Sequence, residues 1–396
     1  MNAAIEVCLV WVVLILMITH ARFRGNTDGV WDRFSVEFTA NTIKSVKDRE
    51  RNLDVNVYYA IFAGRADLIK IHLLYTDMML MLGLITEVHI WDFTNGNALD
   101  SEYISSFIRD TPLPGYKLFL KPSRHNYRGD FTHPGLSSAH KYLWYSFYEH
   151  YLTNERYRPH DILIKADDDI SFIDISYFQT FIDEIANWNG SNLHFPNIIN
   201  NDVGFVVQEA RIHVAAPELK KWMDYYTIDP YQTNFSQRFD DLYDLSLLLE
   251  SSINVEPITS WDHGTYKSGG FAFDMHKSFL RNPAAYLSEL HASQLPKFIP
   301  LNERISINMY GGTFVVIHKL FQSFLYEHCC DDEGFIGSVP TFTKTPHIIH
   351  SDFVIVHYAF HPQYSDGTLL QKMRTSYHEM AEILMRSYRK ARSLDG

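Results

Sequence analysis

The chain has 396 residues, of which 46% are apolar, 21% charged and 15% aromatic, and its formal net charge is −12. This is a globular composition, long enough for one large α/β domain or for two to three smaller ones, and it excludes disordered and collagen-like classes. The acidic balance excludes a protein that holds nucleic acid through bulk positive charge. Cys8, Cys329 and Cys330 form neither a disulfide framework nor the separated CxxC pairs of a structural zinc site.

The chain opens on an apolar leader, unbroken from Val7 to Ile18. As a helix that run rises about 18 Å, short of a hydrocarbon core of about 30 Å. Extending it from Ala3 to Ala21 gives a marginal span, so residues 1–24 read as a membrane anchor or signal-like segment. Arg22 and Arg24 would hold that flank on the cytoplasmic side, whereas a type II anchor prefers the opposite bias. The expected location is membrane-associated, on a Golgi-like lumenal or a cytoplasmic face, with a soluble cytoplasmic protein as the alternative. Residues 25–52 are polar with scattered apolar positions and read as a stem or peripheral helix.

In the body, Asn56–Phe62 is β-branched and aromatic enough for a buried strand, and Asp67 can cap a helix running to about Leu84. Glu87–Phe93 is the next strand, so the opening is a βαβ unit, which predicts a mostly parallel sheet flanked by helices. Tyr116–Leu120 is a third strand, and His133–Leu152 is an aromatic helix. Ile162–Ile164 is a short apolar strand of the kind covered on both faces. Ile173–Trp188 follows as a helix and Asn192–Phe195 as a strand. Near the end, Phe353–Tyr358 reads as a strand, and Met373, Tyr377, Met380, Leu384 and Tyr388 recur at helical spacing.

Asp167, Asp168 and Asp169 directly follow the Ile162–Ile164 strand. Three adjacent carboxylates repel unless cations or donors compensate them. Ligands of open α/β sheets bind near such strand ends. In an extended segment Asp167 and Asp169 point to one side, a pair suited to Mg²⁺ or Mn²⁺ together with substrate phosphates. An acidic helix-capping turn would explain the same triplet.

The segments around these residues resemble a GT-A-type glycosyltransferase that uses nucleotide sugars. Asp167-Asp168-Asp169 matches its DxD motif, and YYAIFAGR matches its first nucleotide-binding strand and loop. Asp331-Asp332-Glu333-Gly334-Phe335 is similar to its acidic active-site motif, preceded by Gly311-Gly312 where such enzymes place an acceptor-side loop. HSDFVIVHYAFHPQ is similar to the segment that supplies a histidine to the metal. The resemblance covers roughly residues 53–362. It implies a nucleotide-sugar half over 53–200 and an acceptor half over 201–362, while the helical spacing gives an amphipathic helix over 363–396.

By that resemblance Asp332 or Glu333 is the catalytic base. Arg65, Asp92, Lys141, Asp167 and Asp168 bind the nucleotide sugar, and Asp167, Asp169 and His357 hold Mn²⁺ or Mg²⁺. Each residue also has a plain reading: a surface arginine, a capping carboxylate, a solvated lysine, a core histidine. Arg124, Arg128, Trp261, Asp262 and His361 are reserve candidates. The expected partners are a nucleoside-diphosphate sugar (UDP or GDP) and a glycan, glycoprotein or glycolipid acceptor, with membrane association and no nucleic acid. The expected activity is sugar transfer to a hydroxyl, with inversion. A metal-dependent phosphohydrolase or nucleotidyltransferase and a membrane-tethered glycan-binding protein are the competing readings.

Overall fold

A computed structural model describes residues 28–48, 55–94, 97–120, 138–199, 276, 279–292, 297–301, 308–324, 336, 339–358 and 367–395. The leader, the three cysteines, Arg124, Arg128, Trp261, Asp262, Asp331, Asp332, Glu333 and His361 lie outside the described residues.

The first strands run as the apolar runs predict. β1 (Val57–Ala63) is followed by α2 (Ala66–Met81) and β2 (Glu87–Asp92), then α3 (Ala98–Asp110) and β3 (Tyr116–Phe119), with α1 (Asp28–Asp48) ahead of them all. α4 (Ser138–Thr153) leads to β4 (Ile162–Asp167). β1 pairs in parallel with β2 and β4, and β2 with β3, because a helix carries the chain back between each of these strands. Alternation along β1 places Tyr58 and Phe62 on one face and Tyr59 on the other. Phe62 packs edge-on against Phe147 of α4, while Tyr59 meets His72 of α2 and Phe178 of α5 (Ile175–Asn187). The strand is therefore buried on both sides, and all seven of its residues are core.

Beyond β4 the sheet changes character. β5 (Ile170–Ile173), β6 (His194–Ile199), β7 (Phe298–Leu301), β8 (Met309–Thr313) and β9 (His347–His357) complete a nine-stranded sheet of order β3-β2-β1-β4-β8-β6-β9-β5 among the described residues. β7 shares the outer edge of β9 with β5. The β4–β8, β6–β8, β5–β9 and β7–β9 pairs are antiparallel, and β6–β9 is parallel. The expected mostly parallel GT-A-like sheet is thus corrected to a mixed one. The physical reason is that an apolar run signals a buried strand without signalling its direction.

The sheet also curls. Three peptide steps from Asp167 to Ile170 reach at most about 11 Å. In a flat sheet, β8, β6 and β9 would hold β4 and β5 about 19 Å apart. The short link is possible only if the end of β9 comes round beside the end of β4, and Tyr358 N–H donates to the Asp169 carbonyl at 2.8 Å.

Gly311 and Gly312 lie inside β8, paired with Ile164 and Leu163, rather than in an acceptor-side loop. A Cβ at Gly311 would stand 2.5 Å from Ile164 Cδ1 and 2.8 Å from Ile185 Cδ1, so a side chain there would force the core between α5 and the sheet to shift. Gly311→Val is expected to cost about 1–3 kcal/mol through overpacking. Urea unfolding would read this as a lower midpoint at unchanged slope, and an unchanged midpoint would refute it.

α1 is built into the body rather than peripheral. Phe34 and Phe38 pack towards Phe172 of β5, and Trp31 Nε1 donates to the Leu280 carbonyl at 2.8 Å. α6 (Pro283–Ala292), α7 (Phe314–Phe324) and the short α8 (Val339–Thr343) precede the long C-terminal helix α9 (Gly367–Asp395). The apolar stripe predicted for α9 is buried at Met373, Tyr377, Met380, Leu384 and Tyr388. The membrane-anchored placement is corrected to this extent: among the described residues no helix is long and apolar enough to cross a membrane.

Candidate functional site

β1 lies between β2 and β4, and the chain leaves β1 towards β2. The chain therefore leaves β1 and β4 in opposite directions, and the place where the loops that follow them meet, at the carboxyl ends of these strands, is the candidate crevice. This is the switch point where open α/β sheets bind ligands. The register brings the ends level, with Phe62 opposite Asp167 and Ala63 opposite Asp92.

The crevice is lined by the acidic triplet and by groups that compensate it. Gly64 N–H and Arg65 N–H, at the start of α2, donate to Asp168 Oδ2 at 2.7 and 2.6 Å. The Arg65 guanidinium donates to Asp168 Oδ1 and, at 2.8 Å, to Asp169 Oδ2. His357 Nε2, at the end of β9, donates to the same Asp169 oxygen at 3.1 Å. Asp167 turns elsewhere: its Oδ1 accepts from the buried Lys165 ammonium at 2.7 Å and its Oδ2 from Asn308 Nδ2 at 3.3 Å. Extended geometry stops at Asp167 and a turn follows, so Asp168 and Asp169 converge while Asp167 departs. The alternation that would have paired Asp167 with Asp169 does not extend through that turn.

These contacts set the charge states. Burial opposes charging Arg65, but Asp169 and Asp168 outweigh it and raise its pKa far above the usual guanidinium value. Burial also works against the Asp169 carboxylate, yet His357 and then Arg65 pull its pKa well below the ordinary range. For Asp168 burial prevails and raises the pKa, against the pull of Arg65. Asp169 Oδ1 is buried and has no hydrogen-bond partner among the described residues.

The other expected residues fall at distinct places. Asp92 ends β2 in the same crevice, but its Oδ1 accepts from Thr94 N–H and Oγ1 and its Oδ2 from Ser101 Oγ, which is turn-capping work. Lys141 lies in α4, away from the strand ends in sequence, and its side chain is outside the described residues. Asp169 and His357 meet, whereas Asp167 faces Lys165. The three-ligand metal centre is thus not assembled, and no group of three metal-ligating side chains occurs among the described residues.

Sequence reasoning missed the support beneath the triplet. His72 Nδ1 donates to the Asp167 carbonyl at 3.0 Å, and Tyr59 OH donates to His72 Nε2 at 2.8 Å. Lys165 was open to detection, since it stands two residues before Asp167 on the same side of a strand. Nothing in the spacing of His72 marks it.

No known family model matches the chain, and no curated protein matches it either. The resemblance to GT-A-type glycosyltransferases is therefore overturned: the sheet is mixed and curled, and no relative supports the short motifs. The metal-dependent glycosyltransferase reading goes with it, as do the phosphohydrolase and nucleotidyltransferase alternatives, because the metal centre they share is not assembled. The membrane-tethered glycan-binding reading likewise has no crossing helix behind it among the described residues.

Proposed function

We propose that the crevice between the ends of β1 and β4 binds a nucleoside diphosphate, free or as a nucleoside-diphosphate sugar. The observation that carries this reading is Arg65. Its side chain is 41% exposed at the switch point and presents a planar fork suited to phosphate oxygens. The unpartnered Asp169 Oδ1 supports a ligand that brings donors or positive charge with it. Mg²⁺ or Mn²⁺ would arrive with the diphosphate, since such ions often bind through one or two carboxylates plus substrate phosphates. Their role would be to offset the repulsion between phosphate and the aspartates. No reaction is assigned to the bound nucleotide.

Calorimetry on the full chain with UDP and with GDP, each with and without Mg²⁺, tests this reading. One diphosphate is expected to bind with a Kd below about 1 mM, equivalent to roughly −4 kcal/mol. Arg65→Gln should weaken it at least about tenfold, the loss of a charge-assisted bond. Absence of binding by either nucleotide in both conditions, with a native circular dichroism spectrum, overturns it.

A further inference from the structure

Asp168 occupies the position that an anionic ligand would need. One oxygen takes two backbone N–H groups, those of Gly64 and Arg65, at the start of a sixteen-residue helix. The other takes the Arg65 guanidinium. Two convergent amides and an arginine fork are how proteins hold a phosphate. Here the chain supplies its own carboxylate to that arrangement.

A second observation points to an exchange. Asp169 shares Arg65 with Asp168 and has His357 as well, yet its Oδ1 is left buried without a hydrogen-bond partner among the described residues. A buried oxygen in that condition is costly and gains from a donor or cation that arrives with a ligand. Arg65 is far more exposed than either aspartate it holds, so a ligand can reach its guanidinium from solvent.

We propose that Asp168 is an internal competitor for the phosphate: it fills the anion position in the free protein, and the ligand binds by displacing it from Arg65. This inference rests on the nucleoside-diphosphate reading and adds how the affinity of that site is set. The affinity is the difference between two anions competing for one guanidinium. A local charge on the chain thereby keeps the site closed to weak or monovalent anions, since the internal competitor acts at very high effective concentration.

Asp168→Asn separates this from a simple binding or structural role. The amide keeps the shape and its oxygen still accepts from Gly64 and Arg65 N–H, but the charge that holds the guanidinium is gone. With inorganic pyrophosphate and with the nucleoside diphosphates, at fixed Mg²⁺, Asp168→Asn is expected to bind about tenfold more tightly than the native chain. Equal or weaker binding by Asp168→Asn, with the native chain binding, overturns the competition and leaves the nucleotide site standing. If neither protein binds any of these probes, the nucleotide reading and the competition both fall. Should Asp168→Asn not fold, the native protein still decides: the Arg65 Nε–H resonance, identified by its loss in Arg65→Lys, is expected to shift with pyrophosphate saturation. A resonance that stays in place through saturation overturns the exchange.

Discussion

Lowering the pH from 7.5 to 5 is expected to remove about 6 kcal/mol of stability, through three fully buried histidines. Burial lowers the pKa of His72 to about 4, and that of His194 and His276 to about 3. His72 donates to the Asp167 carbonyl and accepts from Tyr59, so its folded form is a defined neutral tautomer. His194 is buried against His350, burial being the main cause of its lowered pKa, and His276 bonds Tyr377 OH. In the unfolded chain each imidazole takes a proton near pH 6.5, whereas in the fold it does not. Below that value the unfolded state binds more protons, so stability falls with falling pH until the folded pKa is reached. At pH 5 each histidine contributes a loss of about 2 kcal/mol, and the three together approach the whole stability of a typical domain, about 5–15 kcal/mol.

The depressed carboxylates do not obscure this window. Glu87, held by His89, Lys117 and Arg156 against the cost of its burial, has its pKa lowered to about 2. Groups of that kind lose stabilisation only below the ordinary carboxylate range, about pH 4.5. Urea titrations at pH 7.5, 6.5, 5.5 and 5 should show a steepening decline below pH 6.5. His276→Gln should flatten the pH slope, since one of the proton-linked groups is gone. A midpoint that holds constant from pH 7.5 to 5 would sink the argument.

The parts of the fold that could be read from the chain are those where local pattern and tertiary setting agree. β1 and β4 are apolar throughout because both faces are covered, and α9 keeps its stripe of Met373, Tyr377, Met380, Leu384 and Tyr388. β5 was hidden, since four residues directly after the aspartates join smoothly onto the helix that follows. β8 was hidden by its two glycines, which suggest a turn until the Ile164 and Ile185 methyl groups packed against them are known. Strand direction was legible where helices join the strands, from β1 to β4, and illegible beyond β4. In the candidate site, Arg65 and the acidic triplet stood out because they follow strand ends, where open sheets carry ligands. Their actual pairing depends on the turn at Asp168-Asp169 and on the curl that brings His357 round. Short motifs in the right order were therefore a weaker guide than they looked: the same letters serve internal ion pairs.

Lys165→Met is expected to cost about 3 kcal/mol, the low end of the penalty for breaking a buried ion pair, because the stranded Asp167 carboxylate keeps 24% of its side chain exposed. The ammonium is 1% exposed, donates to Asp167 Oδ1 and stands 4.6 Å from the centre of the Phe62 ring. Methionine matches the stem, so the loss isolates the charge from the packing. Asp167 would retain the long Asn308 contact on its other oxygen. Adding Asp167→Asn removes the stranded charge, and the double variant should recover at least about 2 kcal/mol relative to Lys165→Met alone, as coupling within one pair requires. Recovery also bears on the crevice. Asp167 would then be a structural partner of Lys165, and Lys165→Met/Asp167→Asn should retain diphosphate affinity within about twofold, because the guanidinium, Asp168 and Asp169 are untouched. A double variant no more stable than Lys165→Met would place the loss in packing rather than in charge. One that folds but no longer binds would make Asp167 part of the ligand site.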